Sequence, residues 1–222
     1  MLSLKGVWRM FKSGQMEVAA LQDASLDIED GAFVAIVGPS GSGKSTLLQL
    51  IGLVDRPTRG SIVLDGREVG AMSDADRTAL RLRRIGFVFQ RFHLISDLTA
   101  IENVTLPMEA AGIGVQERFG RARTLLQSMG LETRLNFRPS QLSGGQRQRV
   151  AIARSVANRP GMVLADEPTG ELHSEDRSQV IDLFKQLQRE GHTIVVVTHD
   201  ETVAEVADRQ VRMRDGRIER VA

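Results

Sequence analysis

Cysteine is missing from the 222 residues of the chain. Disulfides, thiolate metal sites and a cysteine nucleophile are therefore excluded, and a reducing compartment fits. An excess of one charge is missing too: 29 Lys and Arg stand against 28 Asp and Glu, a net charge of +1. That balance gives no electrostatic ground for a nucleic-acid partner. Long apolar runs are also lacking, since the strongest, Ala32 to Val37 and Ile194 to Val197, fall far short of the ~20 residues of a membrane span. The opening MLSLKGVWRMFKSG is interrupted by charges and does not read as a secretory signal, so a cytosolic location is expected. No low-complexity tract, Pro/Ser-rich linker or internal repeat divides the sequence.

What is present is ordinary for a globular protein: 41% hydrophobic and 26% charged residues, enough for one large domain or two small ones. Short β-rich stretches are expected at Leu2–Val7, Val18–Leu21 and Ser25–Ile28. An apolar strand, Phe33–Val37, then feeds a glycine-rich turn and a helix over Lys44–Leu53. Ser61–Gly66 reads as strand and turn, Asp74–Arg84 as a charged helix and Ile85–Phe89 as another strand. From 91 to 158 helical patterns dominate. After that the alternation returns, with a strand at Met162–Ala165, a helix at Ser174–Arg189 and a strand at Thr193–Thr198. A short helix and two strands close the chain. Alternating apolar strands and helices predict a mainly parallel sheet covered on both faces. The helical middle, 91–158, then reads as an insertion into an α/β core formed by 1–90 and 159–222.

Two stretches carry chemistry. Gly38-Pro39-Ser40-Gly41-Ser42-Gly43-Lys44-Ser45-Thr46 satisfies the phosphate-binding pattern G-x-x-x-x-G-K-[ST]. Glycines let consecutive backbone amides turn inward around a phosphate chain, and the helix that follows adds its positive end. Lys44 is placed to reach the β- and γ-phosphates and Ser45 to offer its hydroxyl to magnesium. The second stretch, Met162–Glu167, is a buried strand ending in two carboxylates. Asp166 suits the metal-side role of P-loop NTPases, and Glu167, pointing differently, suits a general base that polarises water.

Leu142-Ser143-Gly144-Gly145-Gln146 lies between these two stretches and decides among P-loop families. It matches the LSGGQ signature of ABC ATPases, and Arg147–Arg154 continues in the same style. Alone, S-G-G would be only a weak helix-cap signal; in this order it is strong. The resemblance extends over nearly the whole chain. It implies an ABC ATPase core with an N-terminal antiparallel β part and the helical subdomain carrying the signature. It identifies Gln90 with the Q-loop glutamine, a magnesium and water contact, and His199 with the switch histidine at the γ-phosphate. Phe11 stands where the family stacks an aromatic residue, most often tyrosine, on adenine; this chain has no tyrosine, and nearby Trp8 is the alternative.

The resemblance further implies ATP and Mg²⁺ as cofactors. It also implies a homodimer closing head to tail, in which Ser143, Gly144, Gly145 and Gln146 of one copy complete the other's site. A separate integral-membrane permease would dock near Gln90–Leu106 and Asn136–Gln141, on the inner face of the cell membrane. The stretches GPSGSGKSTLLQLIG, IGFVFQRFHLISDLTAIENVTLPM and VVVTHD are similar to the lipoprotein-release, macrolide-efflux and cell-division ATPases (LolD, MacB and FtsE types). Export or mechanical work through the permease is the implied function; the alternative is an ATP-gated regulatory module that moves no substrate.

One departure stands out. After Pro168-Thr169-Gly170 the family reads A/S-L-D, whereas this chain has Glu171-Leu172-His173. An imidazole in place of a carboxylate alters local charge and makes it pH-sensitive near neutrality. The substitution predicts hydrolysis that is slower or differently coupled between the two sites of a dimer; if it is slower, His173→Asp should raise ATPase turnover in a phosphate-release assay. An unchanged or reduced rate would count against that role.

Overall fold

The computed structural model describes residues 1–14 and 16–221. Contacts within the chain divide it into two units, Met1–Arg81 with Thr193–Ala222, and Leu82–His192.

In the first unit, β1 (Leu2–Ser13) and β2 (Met16–Ile28) form a long antiparallel hairpin. The sequence predicts short separate stretches here, and the register explains the difference. Irregularities between Leu4 and Val7, Val7 and Arg9, and Arg9 and Met10 interrupt the in–out alternation on which a strand reading depends. Next come β3 (Phe33–Val37), α1 (Lys44–Ile51), β4 (Arg59–Leu64), β5 (Arg67–Glu68) and α2 (Asp74–Arg84). One sheet has the order β2-β1-β4-β5, with β4 antiparallel to both β1 and β5. The last part of the chain contributes β8 (Thr193–Val197), α7 (Glu201–Glu205), β9 (Arg209–Arg214) and β10 (Arg217–Val221). Strand β3 pairs in parallel with β8 on one side and β9 on the other, and β10 closes antiparallel on β9. Phe33 to Ile36 and Thr193 to Val197 are buried throughout, the unbroken apolar pattern of strands covered on both faces. Helix α1 stops at Ile51, two residues earlier than the sequence suggests, because Gly52 caps it and Leu53 turns to φ +56°.

The second unit pairs β6 (Ile85–Phe89) with β7 (Met162–Asp166) in parallel, from Ile85 against Met162 to Phe89 against Asp166. Between them run α3 (Ala100–Ala110), α4 (Val115–Ser128), a 3-10 turn at Pro139–Gln141 and α5 (Gly144–Ser155); α6 (Ser174–Arg189) follows β7. Helix α3 starts at a capping box. Thr99 Oγ1 accepts from the Glu102 amide, and the Glu102 carboxylate accepts from the Thr99 amide at 2.8 Å. The Thr99 hydroxyl, which donates to the same carboxylate at 2.7 Å, and then the Thr99 amide hold the Glu102 pKa below the usual carboxylate range. Helix α5 is the centre of the unit, packed on β6, α3, α4 and α6, and its Val150 to Ala153 are fully buried.

The contact of α5 with β6 is backbone against backbone. A Cβ on Gly86 would lie 2.2 Å from the Ser155 carbonyl oxygen. Gly86→Ala should therefore destabilise the protein by roughly 1–3 kcal/mol, the cost of overpacking a closed core, read as a lower urea midpoint. Parent-like stability would mean that α5 can back away from the strand.

Candidate active site

The phosphate-binding pattern occupies the turn from β3 into α1. Gly38, Gly41 and Gly43 have φ of +156°, +80° and +97°, and at the last two a side chain would be strained. Space is as restrictive as angle. A Cβ on Gly38 would meet the Met213 carbonyl at 2.2 Å, and one on Gly43 would meet the Ala20 carbonyl at 2.5 Å. The loop is thus seated directly on β9 and β2. Gly43 is the N-cap of α1 and provides no side-chain cap, and the first i to i−4 bond runs from the Leu47 amide to the Gly43 carbonyl. The amides of Lys44, Ser45 and Thr46 therefore precede the helical ladder, at its positive end. Lys44 is buried, yet its ammonium folds over the loop, donating to the Gly38 and Pro39 carbonyls at 2.8 and 2.9 Å. Ser42 Oγ is buried without a hydrogen-bond partner beneath Gly38, while Ser40 and Ser45 are exposed. This is a glycine cradle with a cation across its mouth and amides at its floor, the donor set that fits a phosphate chain.

His199 joins the loop. Together with Gly38, Pro39, Glu201, Glu205 and Arg212 it lines a cleft of about 620 Å³. Its position is fixed from both neighbours: Thr198 is buried and accepts from the Asp200 amide, and Asp200 caps α7 by accepting from the Thr202 amide at 3.0 Å. Phe11 lies in the same unit, 41% exposed and paired across the hairpin with the equally uncovered Val18. The Arg9 guanidinium sits 4.4 Å from the Phe11 ring centroid and is anchored by Asp55 at 2.6 Å. Trp8 is only half-buried.

The second unit gathers the remaining residues. Because Phe89 and Asp166 are register partners, Gln90 and Glu167 follow them at the same end of the β6–β7 pair. Glu167 takes φ +47°, an uncommon angle for a residue with a side chain, which turns its carboxylate out of the strand's alternation. The turn closes with the Gly170 amide donating to the Glu167 carbonyl, and Gln90 Nε2 fills the space a Gly170 Cβ would take, 3.1 Å away. At the signature, Ser143 caps α5. Its hydroxyl accepts from the Gln146 amide at 3.2 Å, and the Gln146 side-chain carbonyl accepts from the Ser143 amide at 3.0 Å, so Gln146 shapes the helix start. Gly145 is packed against the Asp176 carboxylate, which occupies the space of a Cβ. His173 is the N-cap of α6 without a side-chain cap bond, where an aspartate would supply one.

Sequence reading does not single out Gln148, Arg154 or Asn103. Buried Gln148 donates to the Pro168 carbonyl at 2.7 Å, and Arg154 donates to the carbonyls of Phe92 and His93. Asn103, fully buried, accepts from the Ile95 amide and donates to the Ile95, Leu98 and Thr99 carbonyls. The available signal was polar residues at core positions of apolar helical stretches, which call for partners when buried.

The seating of the phosphate loop sets its own test. Gly43→Ala combines a strained φ with a clash against backbone, so its melting temperature should fall by several degrees, about 1–3 kcal/mol of stability. An unshifted melt would show that β2 gives way.

The ABC transporter family profile matches residues 21–170. An ABC transporter ATP-binding protein of Thermotoga maritima is 49% identical over 218 residues, covering 98% of this chain and 93% of that protein. The macrolide export ATP-binding/permease protein MacB of Pectobacterium atrosepticum is 48% identical over 218 residues. The chain covers 34% of MacB, so it spans about a third of that relative's length. Among solved structures, the ATP-binding cassette MJ0796, a dimer in a post-hydrolysis state bound to ADP and Pi, superposes with a TM-score of 0.93 at 44% identity, covering 100% of this chain and 98% of that one. The chain belongs to the ABC transporter family and is one of its ATPase cassettes.

Proposed function

We propose that the chain hydrolyses ATP with Mg²⁺ at a site opened and closed by homodimerisation, and that this motion drives a separate integral-membrane permease of the export or mechanical type. The observation that carries the reading is the β3–α1 turn, with Lys44 held over the Gly38 and Pro39 carbonyls and the α1 amides beneath. Phosphate oxygens are better acceptors for that ammonium than carbonyls, so the loop can exchange one set of bonds for the other. Amides of Gly41 to Thr46 would line the phosphate chain. The uncovered Phe11–Val18 pair, next to Ala19 and Ala20 of β2 where Gly43 is seated, offers a platform for the adenine ring.

Oxygen donors from Ser45, Gln90 and Asp166 would hold the metal. A hydroxyl, an amide and one carboxylate suit magnesium, which keeps waters and phosphate oxygens in its shell. Among the described residues no group of three or more His, Asp or Glu forms a cage of its own. When bound, magnesium supplies positive charge to the β- and γ-phosphate oxygens. Lys44 adds donors to the same oxygens. Glu167 orients the attacking water and takes its proton, and His199 donates toward the γ-phosphate as charge develops. Ser143, Gly144 and Gly145 of a second copy, at the start of α5, complete the anion shell.

A docking place for the permease is supported by the second unit. The stretches after Gln90 and before Gln141 are joined, since the Ala100 and Ile101 amides donate to the Phe137 and Leu135 carbonyls at 2.8 and 2.9 Å. Ile95 beside them is 46% exposed. No helix among the described residues is long and apolar enough to cross a membrane. As an ATPase cassette of the ABC transporter family, the chain would work from the cytoplasmic face of its partner.

Light scattering after size-exclusion chromatography tests the cycle. Glu167→Gln should run as a monomer alone and as a dimer with ATP, while turning ATP over at least ~100-fold more slowly than the parent. Normal turnover would remove Glu167 as the base, and a monomer with bound ATP would remove closure by the cassette alone.

A further inference from the structure

The loops that carry Gln90 and Glu167 both hold strained backbone. Phe92 and His93 are consecutive non-glycine residues at φ +59° and +47°, and Glu167 is at +47°. Such angles persist only where surroundings over-determine them. For both loops, side chains of α5 supply the restraint.

Arg154, in the last turn of α5, donates to the His93 carbonyl at 2.6 Å and to the Phe92 carbonyl at 2.8 Å. One planar fork thereby fixes two successive left-handed residues. Arg147, two turns earlier, holds its guanidinium 5.0 Å from the Phe92 ring centroid, and Phe92 is buried. Upstream, the Phe92 amide bonds to the Phe89 carbonyl and the His93 ring tilts over Phe89 at 4.7 Å. The turn that presents Gln90 is therefore closed at its base by α5. Burial presses the Arg154 pKa below that of free arginine, and its donors go to carbonyls where a carboxylate would be expected. Gln148 acts at the other loop. Fully buried, it gives its amide to the Pro168 carbonyl, one residue after Glu167, at 2.7 Å, while its own carbonyl oxygen is buried without a partner.

We propose that α5 is a brace for catalysis within its own chain as well as the carrier of the signature: Arg154 positions the turn of Gln90 and Gln148 positions the turn of Glu167. The helix start at Ser143 and both loops are then set by one rigid body, so a displacement of α5 reaches the water-activating and metal-side groups together. Arg154 and Gln148 are positioning residues. This rests on the roles proposed above for Gln90 and Glu167.

Arg154→Met and Gln148→Met keep volume and remove the donors. Each should lower kcat by on the order of tenfold to a hundredfold, the cost of misplacing a reacting group. Affinity for a fluorescent ATP analogue should stay within about twofold, since the Lys44 loop is untouched. Amide exchange should rise over residues 91–95 in Arg154→Met and over 167–170 in Gln148→Met, each confined to its own loop. Arg154→Lys, which retains a donor for one carbonyl, should recover part of kcat. Parent-like kcat and exchange in both Met variants would overturn the brace. So would exchange rising evenly across the unit with no recovery by lysine, the mark of a purely structural role. A parent protein that hydrolyses no ATP would instead overturn the functional reading beneath it, and that result is distinct from both.

Discussion

Backbone lying directly on backbone is the constraint on which the site depends. At Gly38 and Gly43 the phosphate loop touches the carbonyls of Met213 and Ala20 with no room for a single carbon between them. That closeness fixes where the α1 amides emerge and keeps Lys44 curled over the loop mouth. A looser loop with side chains would fill the phosphate space itself and scatter the donors. The same device recurs at Gly86 against Ser155, so the strand that ends at Gln90 and the helix that begins at Ser143 are held at a fixed spacing.

A chemical division of labour follows. In the proposed mechanism the first unit carries the cationic and amide donors, Lys44, the α1 N-terminus and His199, the last sharing a cleft with Gly38 and Pro39 of the loop. The second carries Gln90 and Asp166, proposed as metal-side donors, and Glu167, proposed as the base, at one end of a parallel strand pair. Helix α5 adds a third role. It starts at the Ser143 cap and continues as a core helix whose polar side chains, Gln148 and Arg154, bond to the backbone of the Glu167 and Gln90 loops.

Much of this was legible in the residues, for reasons that can be named. The Gly38–Thr46 pattern, the Asp166-Glu167 pair and the Leu142–Gln146 signature are local, because the chemistry needs consecutive residues. The central strands were legible because burial on both faces leaves an unbroken apolar run. The N-terminal hairpin was not, since its bulges erase the alternation. Gln146, read as a nucleotide contact, closes the capping box of Ser143, a bond visible in the spacing of S-x-x-Q. His173, marked as a departure, also leaves α6 without a side-chain cap, a cost that only the position of the helix start reveals.

By itself, the sequence determined the reaction class and named the candidate groups for it, because a phosphate loop, a paired-carboxylate strand end and a signature are each written in a few adjacent residues. Only the tertiary structure decided which surfaces those residues share. It alone seated Gly43 on Ala20, put His199 on the loop's cleft and tied Arg154 to carbonyls some sixty residues upstream in the chain. The reason is physical: hydrogen bonds and close backbone contacts between distant segments depend on register, twist and helix rotation. Those are set by the packing of the whole unit, and no local pattern of residues encodes them.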